Sequence, residues 1–219
     1  MSLVSLSLDG DSGTTGAQPE PPLPSPEAHG RITGSMPTDN PENVIEVENL
    51  YSHYGERAIL QDINLVIRAG EIMVIMGGSA GGYTVLKCLV DYPGFFRAAL
   101  CLYGVSNMFT LAADTHKFEE RYLDSMLGPL PEASAIYRER SPIFNIDRIV
   151  DPIAVFQGEI DRVVPKAQAE AIVESLRRRG VPHEYHLYEG EGHGWRKQET
   201  IEAFYQTVES FLRQYVIFS

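Results

Sequence analysis

The alternation of apolar and polar positions changes rhythm twice along the chain. Val44-Ile45-Glu46-Val47-Glu48-Asn49-Leu50 places apolar residues against acidic ones as a half-buried strand does, and Ile63, Leu65 and Ile67 repeat the pattern beyond a Tyr54-Gly55 turn. Two antiparallel strands are predicted there. Ile72-Met73-Val74-Ile75-Met76 then runs without a polar break, the pattern of a strand buried on both faces, and a cluster of glycines follows it directly. After Tyr83 the rhythm becomes a helix over Thr84 to Val90, a strand over Ala98 to Tyr103, an irregular stretch, and a strand over Ile153 to Phe156. An amphipathic helix from Lys166 to Arg179 is stopped by Gly180 and Pro182, Glu184 to Tyr188 is the next strand, and a last helix spans Lys197 to Tyr215. Repeated strand-helix-strand units predict an α/β fold: a parallel sheet flanked by helices, with its site at the carboxyl ends of the strands.

Composition adds a tail to this picture. Seven of the 14 prolines, Pro19, Pro21, Pro22, Pro24, Pro26, Pro37 and Pro41, fall in the first 43 residues among Ser, Gly, Thr and acids, so residues 1–43 are predicted to form a disordered tail. Within it Pro19-Glu20-Pro21-Pro22 has the spacing of a proline-rich docking peptide. The formal charge of −12, from 18 basic and 30 acidic residues in 219, argues against nucleic-acid or anionic-membrane partners. Cys88 and Cys101 lack both metal-ligand spacing and a disulfide framework, no apolar run reaches the roughly 18 residues needed to span a bilayer, and Met1 to Leu8 lacks a basic leader region. A cytoplasmic protein with reduced thiols is expected.

The glycine cluster Gly77-Gly78-Ser79-Ala80-Gly81-Gly82-Tyr83-Thr84 has two chemical readings. As G-x-S-x-G, over Gly77, Ser79 and Gly81, it is a nucleophile elbow, with the amide of Ala80 available as an oxyanion donor. As G-x-x-x-x-G-K-[ST] it is a phosphate loop with Gly77, Gly82 and Thr84 in place and Tyr83 where lysine belongs.

Two families are resembled by different stretches. Residues 44–79 resemble the start of the ATPase subunit of ATP-binding-cassette transporters, through Ile45-Glu46-Val47-Glu48-Asn49-Leu50, Tyr54-Gly55, Ile59-Leu60-Gln61-Asp62-Ile63-Asn64-Leu65 and Gly70 to Gly77; the likeness implies that Tyr54 stacks on adenine. No leucine-serine-glycine-glycine signature or Asp-Glu strand end follows. Residues 77–216 resemble the C-terminal half of the catalytic domain of the prolyl oligopeptidase family of serine peptidases, through Gly77 to Tyr83, Ser141-Pro142, Phe156 to Pro165 and Tyr188 to Trp195. That resemblance implies an α/β-hydrolase fold with Ser79 as nucleophile, Asp161 as orienter and His193 as base, acting on peptide or acyl-peptide bonds without a cofactor or metal. Placement in the fold agrees: each of the three follows a predicted strand, and their order, Ser then Asp then His, is that of α/β-hydrolases. His183, His186, Asp147 and Asp151 lie on strands or at their opposite ends, whereas Glu159 and Glu189 read as solvated loop neighbours. Glu119, Glu120 and Asp124, with Arg121, read as a charged helix face.

The expected organisation is therefore a tail (1–43), a β-rich segment (44–76) and an α/β-hydrolase-like catalytic region (77–219) truncated at its N-terminal half. No His-Gly-Gly-like loop precedes Ser79 to donate a second oxyanion amide. The hairpin must also cover the exposed edge of the nucleophile strand or leave it open to pairing with a second copy of the chain. Two other readings stand beside the hydrolase: a nucleotide-binding remnant, and a catalytically silent chimeric module.

Overall fold

The structure, a computed structural model, describes residues 2–6, 31–34, 43–54, 57–68, 71–114 and 122–218. The proline-rich Pro19-Glu20-Pro21-Pro22 motif lies outside them, as do Glu119, Glu120 and Arg121 of the expected charged face. The chain divides into two compact units, residues 11–71 and residues 1–10 with 72–219.

In the smaller unit, β2 (Arg31–Gly34), β3 (Asn43–Tyr54) and β4 (Arg57–Arg68) form an antiparallel sheet in the order β2-β3-β4. Val47 pairs with Leu65 and Ile45 with Ile67 along the antiparallel ladder. The register shifts between Val47 and Leu50, where Asn49 adopts a φ of 48° and its amide donates to the side chain of Asn64 at 2.9 Å. Such a bulge re-aims the strand at a position whose short polar side chain tolerates left-handed backbone.

The larger unit is a five-stranded parallel sheet in the order β1-β5-β6-β7-β8, from β1 (Ser2–Leu6), β5 (Met73–Gly78), β6 (Ala98–Leu102), β7 (Ile153–Gly158) and β8 (His183–Tyr188). Its long helices are α1 (Ala80–Asp91), α5 (Ala167–Arg179) and α6 (Gln198–Leu212). Apolar side chains alternate between the two faces of each central strand. Val155 joins Leu86, Leu89, Ile172 and Leu176 in one core, under α1 and α5, while Ala154 and Phe156 join Phe204 and Phe211 in another, under α6. Every residue of β7 is buried, as expected of a strand covered on both sides.

Residues 1–43, read from composition as a tail, include β1, the run Ser2-Leu3-Val4-Ser5-Leu6, and β2; the short apolar pattern of β1 is diluted when composition is averaged over 43 residues that include seven prolines. In the five-stranded sheet β1 pairs with β5 in parallel, Leu3 with Val74 and Leu6 with Gly77.

Between β6 and β7, where an irregular stretch was expected, the chain forms the short helices α2 (Met108–Asp114), α3 (Tyr122–Leu127) and α4 (Ser134–Arg140), followed by a 3-10 segment over Pro142–Arg148. Buried Tyr137, Val105, Met108 and Leu123 give this layer its own apolar cluster.

Candidate active site

A strand that runs directly into a helix has room for one residue to make the turn, and at the end of β5 that residue is Ser79. Its φ of 54° and ψ of −116° lie outside the regions open to ordinary side chains without strain. The backbone is held there from both sides: the Ser79 amide donates to Leu102 O at 3.0 Å, and its carbonyl accepts the amide of Tyr83 at 2.9 Å as the first bond of α1. The hydroxyl makes no capping bond to the helix. Ala80, the first helical residue, is exposed, so its amide sits at the open N-terminal end of α1 beside the serine.

Close packing explains the glycines around this turn. A Cβ on Gly82 would lie 2.6 Å from Gly104 Cα and 2.7 Å from Leu102 O, so α1 crosses the end of β6 at backbone contact distance. That use of Gly82 conflicts with the phosphate-loop reading. A phosphate loop needs free backbone amides between strand and helix, whereas Gly81 and Gly82 are already buried inside α1.

Asp161 follows β7 on a loop that turns back on itself. Its side chain is fully buried, and its Oδ1 accepts the amides of Val163 at 2.8 Å and Val164 at 2.9 Å. Its Oδ2 accepts from His193 Nδ1 at 2.8 Å and from the Gln157 amide at 3.3 Å. With Nδ1 as the donor, the neutral His193 ring carries its lone pair on Nε2, the tautomer a general base requires.

His193 follows β8, in a tight turn across which Gly192 and Gly194 pair. Its loop is tied to the acid's loop at the backbone: Glu159 N donates to Tyr188 O and Ile160 N to Glu191 O, both at 3.0 Å. Gly158 permits this closeness, because a Cβ there would collide with the carbonyl oxygen of Gly192. Glu159, expected to be merely solvated, accepts the amide of Gly190 at 3.1 Å and adds a further tie. The imidazole packs against the Tyr103 ring at a tilt of 55°, with centroids 4.5 Å apart, and Tyr103 in turn meets Trp195 edge-on at 5.3 Å.

Glu191 supports the His193 loop from inside. It is 2% exposed, and its carboxylate accepts the amides of Arg196 at 3.0 Å and Lys197 at 2.9 Å, closing the loop at the start of α6. Burial by itself raises the pKa of this group, but the donors at Lys197, Arg196 and Thr200, with the charge of Lys197, outweigh it and hold the carboxyl below its ordinary value.

The structure therefore joins Asp161 to His193 directly and puts Ser79 and Ala80 at the same edge of the sheet, at the carboxyl end of β5, two strands from β7. The expected hydrogen bond between Ser79 and His193 is not among the contacts of the described residues. The rivals fall elsewhere. His183 bonds to Val181 O at 2.7 Å and His186 to Glu184 at 2.9 Å. Asp151 accepts the amides of Gly94 and Phe96 at the opposite end of the sheet. Gln157, Tyr103 and Glu191 were not singled out by sequence reasoning. Gln157 and Glu191 sit inside the motifs around Asp161 and Glu189 to Trp195, where a polar residue beside a catalytic candidate was the available signal.

Comparison with known proteins covers the same region. The model of the prolyl oligopeptidase family (Peptidase_S9) matches residues 64–217, beginning 13 residues upstream of the resemblance at Gly77. Dipeptidyl aminopeptidase BIII of Pseudoxanthomonas mexicana is 34% identical over 147 residues, 65% of this chain and 21% of that protein. A puromycin-hydrolyzing peptidase of Mycobacterium tuberculosis superposes with a TM-score of 0.63 at 38% identity, over 67% of this chain and 22% of that one. The chain thus spans about a fifth of the length of these relatives. A shorter match, 40% identity over 55 residues and 25% of this chain, is to the probable ATP-dependent transporter ycf16 of Pyropia yezoensis. No described helix is long and apolar enough to cross a membrane.

Proposed function

The chain belongs to the prolyl oligopeptidase family, and on that premise we propose that it is a serine hydrolase in which Ser79, Asp161 and His193 act as one triad on peptide or acyl-peptide bonds. The observation that carries the reading is the buried Asp161 carboxylate bonded at 2.8 Å to His193 Nδ1, with the imidazole on the loop after β8 and the strained Ser79 on the turn after β5.

In this reading His193 Nε2 takes the Ser79 hydroxyl proton as Oγ attacks the carbonyl carbon, and the Ala80 amide receives the developing oxyanion. The imidazolium, steadied by Asp161, returns the proton to the leaving amine or alcohol, and the acyl group stays on Ser79. Water activated by His193 then releases the acid. A single helix-start amide is a weak oxyanion hole; loss of one donor costs about 10²–10³ in turnover. Activated esters, whose leaving groups need little protonation, are accordingly turned over faster than peptide amides.

Residues 44–79 we read as derived from a transporter ATPase, on the motifs of that stretch. The packing of Gly81 and Gly82 inside α1 speaks against retained nucleotide binding, so no Mg²⁺-dependent ATP hydrolysis is expected. Cytoplasmic residence is part of the same proposal and rests on two free cysteines.

A fluorophosphonate probe with intact-mass and peptide-level readout tests the reading. One adduct per chain, on Ser79 and lost in both Ser79→Ala and His193→Ala, is the expected result. A folded protein that takes no adduct at Ser79 under conditions that label a control serine hydrolase would overturn it.

A further inference from the structure

Gln157 is the one polar side chain in β7. Ile153, Ala154, Val155 and Phe156 before it are apolar and, like Gln157 itself, at most 2% exposed. Its amide nitrogen lies 3.3 Å from Asp161 Oδ2, 3.0 Å from Val164 O and 3.3 Å from Gly158 O. Three surrounding oxygens fix the orientation of the amide, since the flipped group would set oxygen against oxygen at all three. The consequence is that Gln157 Oε1 points into the core with no partner. An interior position that only had to fill space would be better served by methionine, which leaves no buried acceptor unpaired.

The acid's own bonding shows what the amide supplies. Oδ1 of Asp161 is held by two backbone amides of its own loop, whereas Oδ2 faces His193 and Gln157. Without Gln157, the Oδ2 end would be fixed only by the imidazole that it is meant to orient. We propose that Gln157 is a positioning residue for the Asp161–His193 pair, its amide locking the carboxylate so that Oδ2 stays aimed at His193 Nδ1. This rests on the hydrolase reading for its catalytic meaning, but not for its geometry.

The test uses the whole 219-residue chain labelled uniformly with ¹⁵N, comparing wild type with Gln157→Met, which keeps the volume and removes the donor, and Gln157→Glu. A glutamic acid buried beside Asp161 stays protonated at neutral pH, so its O–H restores a donor to Oδ2. The readouts are the His193 Nδ1–H proton resonance, the amide resonances of Val163 and Val164, and the rate of Ser79 labelling by fluorophosphonate. In Gln157→Met the His193 resonance is displaced or lost and labelling slows about tenfold, as expected for a hydrogen bond to a charged group, while Gln157→Glu recovers both. Displacement of Val163 and Val164 amides with His193 and the labelling rate unchanged would make Gln157 a loop scaffold only and overturn the proposal. So would a folded Gln157→Met indistinguishable from wild type.

If Gln157→Met does not fold, Gln157→Glu carries the test alone. Its donor disappears as the new carboxyl ionises with rising pH, and the His193 resonance must move with it; a resonance that stays put overturns the proposal. A wild-type chain that takes no probe at Ser79, yet whose His193 resonance responds to Gln157 substitution, would instead refute the hydrolase reading and leave the positioning role standing.

Discussion

Strands β7 and β4 are both rich in branched residues, yet the structure uses them differently. All six positions of Ile153–Gly158 are buried, whereas β4 leaves Ile63 41% and Val66 36% exposed and buries Ile67. The first lies in a parallel sheet with a helical layer and a separate apolar core on each face. The second lies in a three-stranded antiparallel sheet, about the least that is independently stable, whose buried hydrophobic residues among those described are Val47 and Ile67. A change of given size is therefore expected to cost more at a buried position of β7 than at an exposed position of β4.

The largest expected effect is on activity. Ser79→Ala and His193→Ala should each reduce ester hydrolysis by at least about 10³-fold, and the double variant by scarcely more, because groups acting as one unit fail together. Initial rates on an activated ester check this, and additive losses would separate the two residues. Next is a substitution at the helix crossing. Gly82→Val sets side-chain atoms against the backbone of Gly104 and Leu102, which cannot yield cheaply, and should destabilise the larger unit by about 3 kcal/mol or more in urea unfolding.

A smaller effect with a sign belongs to Glu191. Its folded pKa lies below its ordinary value, so the folded state favours the ionised form, and the stabilisation is present above the unfolded pKa and lost as pH falls through the folded one. Glu191→Gln should cost about 1–2 kcal/mol at pH 7, since the buried amide accepts less well from Arg196 and Lys197, and should flatten the decline in stability below about pH 4.5. Thermal melts across pH 3–7 test this; an unchanged acid limb would assign it to other carboxylates. The smallest effect falls in the smaller sheet, where Val66→Thr on the exposed face of β4 should change stability by less than about 0.5 kcal/mol. A loss of several kcal/mol there would mean that the two sheets are not so unequal.

Much of the larger unit was legible beforehand, for reasons that differ by element. β5 to β7 are short apolar runs, β8 lies between Pro182 and Gly190, and α5 and α6 carry amphipathic faces, with Gly180 and Pro182 beyond α5, so residue pattern located each to within a few positions. α2 and α4 were not recognised, because helices of seven residues are too short to display a period and their packing on Tyr137 is tertiary; at α3 a charged helix face through Asp124 was the available signal. β1 was missed for a similar reason: a five-residue strand has meaning only once β5 is beside it. Ser79, Asp161 and His193 could be proposed because each follows a strand in the expected order. Gln157, Glu191 and Tyr103 could not, because what they do depends on partners that folding brings from other loops.

The two buried carboxylates of the site also bear on how its loops move. Loop amides ordinarily exchange with solvent within the faster range, but those of Val163, Val164, Arg196 and Lys197 donate to Asp161 and Glu191, both out of contact with water. For any of these protons to exchange, a carboxylate must be unsealed, which ties the opening of each loop to disruption of the core beneath it. These four hydrogens should accordingly exchange with deuterium on the timescale of the central strands, so that two surface turns keep time with the interior.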